Sequence, residues 1–251
     1  LHKIFTNTNF LGKNVIFLPS CHSTNDIAAE FSSKRHVSEG TIIITDNQTA
    51  GKGQRGNTWE ADEGKNLTLS IILKPHFLDI SEQFFLNIII SLSIHDLFKQ
   101  YIPFGLSVKW PNDLYFYDNK LGGILIENSI KNNQLENVIV GIGLNINQVI
   151  FTNPRAESLG NICNQQFNLY EILSLLLIHI EARYFQLKKG DKQKLLKDYL
   201  LVMYWINEKH FFKAEDYFEG EIKGVDSNGR LIIDQNQKLR YFSNKEIAFI
   251  R

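Results

Sequence analysis

Thr45-Asp46-Asn47-Gln48-Thr49-Ala50-Gly51-Lys52-Gly53-Gln54-Arg55-Gly56-Asn57-Thr58-Trp59 decides how the rest of this chain is read. A β-branched run over residues 41–45 enters the stretch and an apolar run over residues 67–73 follows it, so it is a loop between two strands. Glycines let the backbone approach a ligand closely and take positive φ, which allows successive N–H groups to point at an anion. Lys52 and Arg55 add full charges suited to phosphate. Two familiar phosphate loops are excluded by context. Gly51-x-Gly53-x-x-Gly56 has the spacing of the dinucleotide fingerprint, but that fingerprint opens a helix and here a strand follows. In the Walker A register, Asn57 stands where the phosphate-binding lysine belongs. Taken alone, the loop suits either an anion cradle or a glycine hairpin with two solvated cations.

A chain of 251 residues can bury one large core, or one core with a small appendix. Lys+Arg 27 equals Asp+Glu 27, so the surface as a whole carries no field favouring nucleic acid or an anionic membrane, and neither is expected as a partner. Cys21 and Cys163 lie far apart without metal spacing, which points to reduced thiols. No apolar run reaches the ~18 residues of a membrane span, and the N-terminus lacks the charged-then-apolar order of a signal peptide. A cytoplasmic location is expected.

Residues 4–5 and 15–18 read as short edge strands, the second ended by Pro19. Ser23, Thr24, Asn25 and Asp26 precede an alanine-containing periodic run, a helix N-terminus signal, because such side chains accept the free N–H groups of a first turn. Hydroxyls there, beside the glycine loop, also suit a polar ligand head. Residues 81–100 predict a helix capped by Ser81, with Phe84, Phe85, Ile88, Leu92 and Phe98 facing the core. Lys109-Trp110-Pro111-Asn112-Asp113 reads as a strand end or tight bend, since proline cannot donate to a ladder and restrains its predecessor.

Residues 114–128 predict a hairpin turning at Asp118-Asn119, with Lys120 at its tight end. A buried strand over residues 137–142 leads into Gly141-Ile142-Gly143-Leu144-Asn145, whose glycines fit close backbone approach or a bulge. Residues 169–206 read as helical, broken at Gly190, buried over 172–180 and solvated where the lysines gather. Beyond Asn207, short alternating strands with turns at Glu219-Gly220, Asp226 to Gly229 and Gln235-Asn236 suggest a small β-barrel.

Ser23-Thr24-Asn25, the loop from Gln48 to Trp59, Lys109-Trp110-Pro111-Asn112-Asp113 followed by Lys120-Leu121-Gly122-Gly123-Ile124-Leu125-Ile126-Glu127, and Gly141-Ile142-Gly143-Leu144-Asn145 occur in one order, and together they resemble a biotin–protein ligase. The resemblance implies an α+β fold, a mixed sheet packed with helices of the class II synthetase-like biotin/lipoate ligase kind. It implies a catalytic domain over 1–206 and a C-terminal SH3-like β domain over 207–251. With nothing before Ile4 that could build a winged helix, it implies the ligase-only form.

The implied chemistry has two steps: biotin and ATP give biotinyl-5'-AMP and pyrophosphate, then a lysine of a biotin carboxyl carrier protein takes the biotinyl group. ATP and biotin are the expected substrates, Mg2+ is expected with ATP, and the protein is expected as a monomer or homodimer. By their places in the matched motifs, Lys120, Arg55 and Asp113 are the expected catalytic residues. Asp113 would orient the incoming amine or help hold magnesium.

Ser23, Thr24, Asn25, Gln48, Gly51, Lys52, Gly123 and Gly141 are expected at biotin, the first two and Gln48 at its ureido head. Burying that head without hydrogen bonds costs several kcal/mol. Lys52, Arg55, Trp59, Asn112, Lys120 and Asn145 are expected at ATP or the adenylate, with Trp59 stacking on adenine or capping the closed loop. The chain departs from the family's GRGRxGRxW pattern, since Lys52, Gln54 and Asn57 stand in place of arginines. Lys52 keeps charge without the bidentate fork, and Gln54 and Asn57 keep hydrogen bonding alone. Two other readings are a lipoate–protein ligase, which would not need Ser23, Thr24 and Gln48 together, and a non-catalytic biotin or adenylate sensor, against which Lys120 beside two glycines argues.

Overall fold

The computed structural model describes residues 7–34 and 37–251, and of Lys34 and Arg55 the backbone only. The strand expected at residues 4–5 lies outside the described residues. In chain order the elements are β1 (Val15–Cys21), α1 (Thr24–Lys34), β2 (Ile42–Gln48), β3 (Leu67–Leu73), α2 (Phe84–Lys99), β4 (Leu106–Lys109), β5 (Asp113–Phe116), β6 (Asn119–Lys131), β7 (Gln134–Leu144), α3 (Leu159–Cys163), α4 (Leu169–Lys188) and α5 (Lys192–Leu201). Five further strands follow: β8 (Lys209–Lys213), β9 (Tyr217–Val225), β10 (Leu231–Gln235), β11 (Lys238–Phe242) and β12 (Ala248–Ile250).

The first seven strands form one mixed sheet in the order β1-β2-β3-β7-β6-β5-β4, with β1 and β2 parallel and the other pairs antiparallel. Period-two alternation sorts its faces. In β3, Leu67, Leu69, Ile71 and Leu73 join the main core with Val138, Val140, Ile142 and Leu144 of β7, under α2 and α4. On the other face, Ile43, Ile72 and Ile139 pack with Ala28 of α1 as a small second core. Because α1 covers only part of that face, the remainder is open, and there β3 and β7 present Thr68, Ser70, Gly141 and Gly143. The last five strands form an antiparallel sheet, β11-β10-β9-β8-β12, closed around Phe212, Ile222, Leu231 and Ile233, all fully buried. The α+β architecture with a C-terminal sheet of SH3-like kind is as the resemblance implies.

Four local expectations are corrected. Pro19 does not end β1, which runs on to Cys21; β1 is the outermost strand, where a missing N–H leaves no ladder bond unmade. Ser81 lies in a 3₁₀ turn over Ile80–Glu82 and does not cap α2, whose N-cap is Gln83 with no side-chain bond. Helical structure stops at Leu201, because residues 202–204 turn to cover the open edge of β4: Val108 N–H donates to Val202 O at 2.7 Å and Tyr204 N–H to Val108 O at 2.9 Å. Glu219-Gly220 is no turn. It sits inside β9, where a Cβ on Gly220 would come 2.5 Å from Ile233 of the neighbouring strand, so the glycine admits that side chain. The helix break at Gly190, with φ +89°, and the β5–β6 hairpin stand as read.

Candidate active site

The open part of the sheet is the floor of a cleft of about 380 Å³. Asp113, Gly123, Gly143 and Thr68 are successive cross-strand partners on β5, β6, β7 and β3, and Leu125, Gly141 and Ser70 form the next row. The two rows are low because glycine fills them. A Cβ on Gly143 would lie 2.4 Å from the Trp59 indole, and one on Gly141 would lie 2.3 Å from Asn25 Oδ1. The glycines therefore seat these two side chains on the sheet.

Lys120 reaches this floor through an irregularity in the strand. Strict alternation would put Lys120 and Gly123, an odd number of residues apart, on opposite faces. The β5–β6 register shifts, however, so that Leu114 pairs with Gly122 and Tyr115 with Lys120, leaving Leu121 as an extra residue in β6. Such a bulge re-aims the chain, and a Cβ on Gly123 would lie 3.2 Å from Lys120 Nζ. The ammonium is 2.8 Å from Asp113 Oδ1 and 5.8 Å from the Trp59 ring centroid. Its backbone is clamped from outside the sheet, donating to Arg155 O at 2.8 Å and accepting from Glu157 N–H at 3.0 Å.

The far end of the cleft is a polar cluster at the start of α1. Gln48 Oε1 accepts from Thr24 N–H at 2.8 Å and from the Thr24 hydroxyl at 3.2 Å, so β2 supplies the acceptor that a helix N-terminus requires. The Ser70 hydroxyl is 2.7 Å from Thr24 Oγ1 and 2.6 Å from Asn25 Oδ1, and Asn25 Nδ2 donates to Glu127 Oε2 at 2.6 Å. Ser23, buried and facing the cleft, makes no hydrogen bond from its hydroxyl to the described residues. Lys52, at the mouth, pairs with Asp26 in the first turn of α1. That contact raises the Lys52 pKa through its hydrogen bond to Asp26.

The loop between β2 and β3 arches over the cleft as a small hairpin. Lys52 and Thr58 bridge, Trp59 N–H donates to Gly51 O at 2.9 Å, and Gly53 N–H donates to Asn57 O at 2.7 Å around a 3₁₀ turn at Gln54–Gly56. The wall opposite carries Lys109, Trp110 and Asn112 from the bend expected there, with Phe249 of β12 beside them. Asn112 Nδ2 donates to Ile124 O, tying the bend to β6. Lys109 Nζ lies 5.0 Å from the Tyr115 ring centroid and 4.8 Å from that of Phe249. Desolvation, and secondarily Arg251, push its pKa down to about 8.

Most of the expected residues thus meet in one place. Ser23, Thr24, Asn25, Gln48, Lys52 and Gly141 line one side of the cleft, and Trp59, Asn112, Asp113, Lys120 and Gly123 line the other. Three do not. Gly51 sits at the base of the loop, where a Cβ would meet Trp59 O at 2.4 Å. Asn145 is buried behind Lys120, donating to Lys120 O at 3.3 Å and Glu157 O at 3.0 Å. The backbone of Arg55 lies in the 3₁₀ turn, while its side chain falls outside the described residues. Residues not expected at biotin or ATP also belong here: Thr68 on the floor and Ser70, buried beneath Thr24 and Asn25, both betrayed by polar alternation in an apolar strand, Lys109, read in the sequence only as part of its motif, and Asn244 and Phe249, for which the sequence carries no signal.

A mixed sheet whose open face sets a paired lysine at one end and a hydroxyl–amide cluster at the other, beneath a glycine loop, is the framework of an enzyme that activates a small acid. The pattern of the biotin/lipoate A/B protein ligase family matches residues 17–145, and the chain belongs to that family. Among curated relatives, the biotin–[acetyl-CoA-carboxylase] ligase of Mycobacterium tuberculosis is 28% identical over 237 residues, covering 91% of this chain and 86% of the relative. The bifunctional ligase/repressor BirA of Bacillus subtilis is 25% identical over 247 residues, covering 96% and 75%. Among solved structures, the biotin protein ligase from Aquifex aeolicus in complex with biotin and ATP superposes with a TM-score of 0.80 at 26% identity, over 95% of this chain and 99% of that one.

Proposed function

We propose that the protein joins biotin to ATP as biotinyl-5'-AMP, releasing pyrophosphate, and then passes the biotinyl group to a lysine of a biotin carboxyl carrier protein. The observation that carries this reading is the placement of the Lys120 ammonium, 2.8 Å from Asp113 Oδ1, in the same cleft as the Ser23–Thr24–Gln48 cluster. A neutral bicyclic head that needs several hydrogen bonds fits the cluster, and a carboxylate at the end of its tail would then lie toward Lys120.

In the first step a carboxylate oxygen attacks the α-phosphorus and the bond to the pyrophosphate oxygen breaks. The barrier is repulsion between two anions together with charge growing on the leaving group, and fixed cations lower both. Lys120 is assigned to the α-phosphate. Lys109, whose surroundings disfavour its own charge, is assigned to the departing phosphates, and Asn112 and Trp59 to the nucleotide. Asn145 is assigned to holding the Lys120 backbone instead of touching the adenylate. In the second step the acceptor amine attacks the acyl carbon, AMP leaves with the bonding pair, and the amine sheds a proton; Asp113, the one carboxylate among the described residues that line the cleft, is assigned to receive or orient it.

Magnesium fits this cleft only in company with the triphosphate. Among the described residues no three His, Cys, Asp or Glu side chains gather as a metal site, and Mg2+ typically takes one or two carboxylates plus substrate phosphates. Asp113 would be that carboxylate, and the ion would neutralise phosphate charge. The division into a catalytic unit over 1–206 and a C-terminal unit over 207–251 is likewise proposed, with the qualification that Asn244 and Phe249 make the second unit part of the cleft wall.

Pyrophosphate release in the presence of biotin and ATP tests the assignment. Lys120→Ala should lower the rate by about 10²- to 10³-fold, the scale for losing one preorganised charge-stabilising group. An unchanged rate removes Lys120 from the reaction. Release driven by lipoate in place of biotin would redirect the substrate.

A further inference from the structure

The tip of the glycine loop is held from the other sheet. Gln54 Oε1, in the 3₁₀ turn at the tip, accepts from Asn244 Nδ2 at 2.6 Å, a partly buried contact across 190 residues of chain. Asn244 belongs to the turn between β11 and β12, and that turn and β12 form one wall of the cleft through Asn244, Ile247 and Phe249. Among the described residues, the rest of the loop is held by the ion pair of Lys52 with Asp26 of α1 and at its base, where Trp59 N–H meets Gly51 O and Ala50 N–H donates to His22 O at 2.9 Å. Gly56 and Asn57 at the tip are exposed.

We propose that Asn244 is a positioning residue for the ligand loop, fixing its tip over the cleft through Gln54. Gln54, standing where the family pattern has arginine, supplies the acceptor for the Asn244 N–H, whereas an arginine there could only donate to the Asn244 amide oxygen. The loop here lacks one cation of the family pattern and carries a bond to the C-terminal sheet. Retention of a ligand under the loop then depends in part on a residue of the C-terminal sheet.

Hydrogen exchange on the full ligand-free chain reads the tether without reference to the reaction. In Asn244→Ala, the amides of Gly53, Asn57 and Trp59 should exchange about 2- to 10-fold faster, the range for one neutral hydrogen bond, while those of β9 and β10 keep their rates. Gln54→Ala should do the same, and the double variant should be no faster than either single one. The swap Gln54→Asn with Asn244→Gln keeps the combined side-chain length and should restore slow exchange.

Resting on the function proposed above, a second readout is release of biotinyl-5'-AMP, which should speed up by a similar factor in Asn244→Ala, with KM for biotin rising more than kcat falls. Wild-type exchange rates in Asn244→Ala, or additive effects of the two alanines, overturn the tether. If the protein makes no adenylate, the exchange result still decides the tether, and only the functional reading falls.

Discussion

Lys109 shows how much one side chain's surroundings matter. Its ammonium is held among aromatic rings near Arg251, and desolvation brings its pKa to about 8 from an ordinary 10.5. Between those two values the unfolded chain holds the proton more tightly than the folded one. The folded state therefore carries a penalty that is complete below about pH 8 and fades as the pH rises through that window. Bringing phosphates beside Lys109 would raise its pKa again, so ATP binding near pH 8.5 should take up protons. Calorimetry in buffers of differing ionisation enthalpy should show that uptake in the wild type and its loss in Lys109→Met; equal uptake in both would place the phosphates elsewhere. Lys120 was recognisable from its motif, but its partnership with Asp113 was not, because the bulge at Leu121 that turns both toward one face is invisible in a residue pattern.

Among the elements, the loop between β2 and β3 has the least support of its own. Its internal bonds are those of a short hairpin with a 3₁₀ tip, and few apolar side chains anchor it. Segments of that kind open locally at low cost and close when a ligand supplies the missing contacts. Trypsin should therefore cut after Lys52 or Arg55 in the ligand-free protein, and biotin with ATP should slow that cut by at least several-fold. Equal cleavage in both states would show a loop that does not respond to ligand. The strands beneath were legible from sequence because alternation exposes which face is buried: Leu67-Thr68-Leu69-Ser70 separates core from cleft residue by residue. The end of the helical region was not, since residues 202–204 follow the demand of an unpaired β4 edge more than any local propensity.

At the scale of the whole molecule, the C-terminal sheet completes the cleft. Trp110, from the bend that also carries Asn112 and Asp113, is buried and donates from Nε1 to Gly229 O at 2.9 Å. Arg251 reaches back to Asp118 O at 2.7 Å, and Tyr204 hydrogen-bonds the same aspartate. Trp110→Phe removes the donor, leaves Gly229 O unpaired and should cost about 1–3 kcal/mol. Chemical denaturation should register that loss, together with a weaker ATP step, because the wall holding Phe249 against Lys109 is loosened. An unaltered denaturation midpoint would mean that the sheet docks by other contacts. Among the described residues no helix is long and apolar enough to cross a membrane.

From the sequence alone came the family, the α+β architecture and many of the residues that line the cleft, because motif order, strand alternation and turn residues are local properties of the chain. Tertiary structure alone decided that Asn145 stands behind Lys120, that Gly141 and Gly143 make room for Asn25 and Trp59, and that Asn244 and Phe249 close a cleft whose floor lies in another sheet. These are contacts between residues far apart in the chain. They depend on register, on a bulge and on how two sheets dock, and no spacing within a linear sequence encodes distances of that kind.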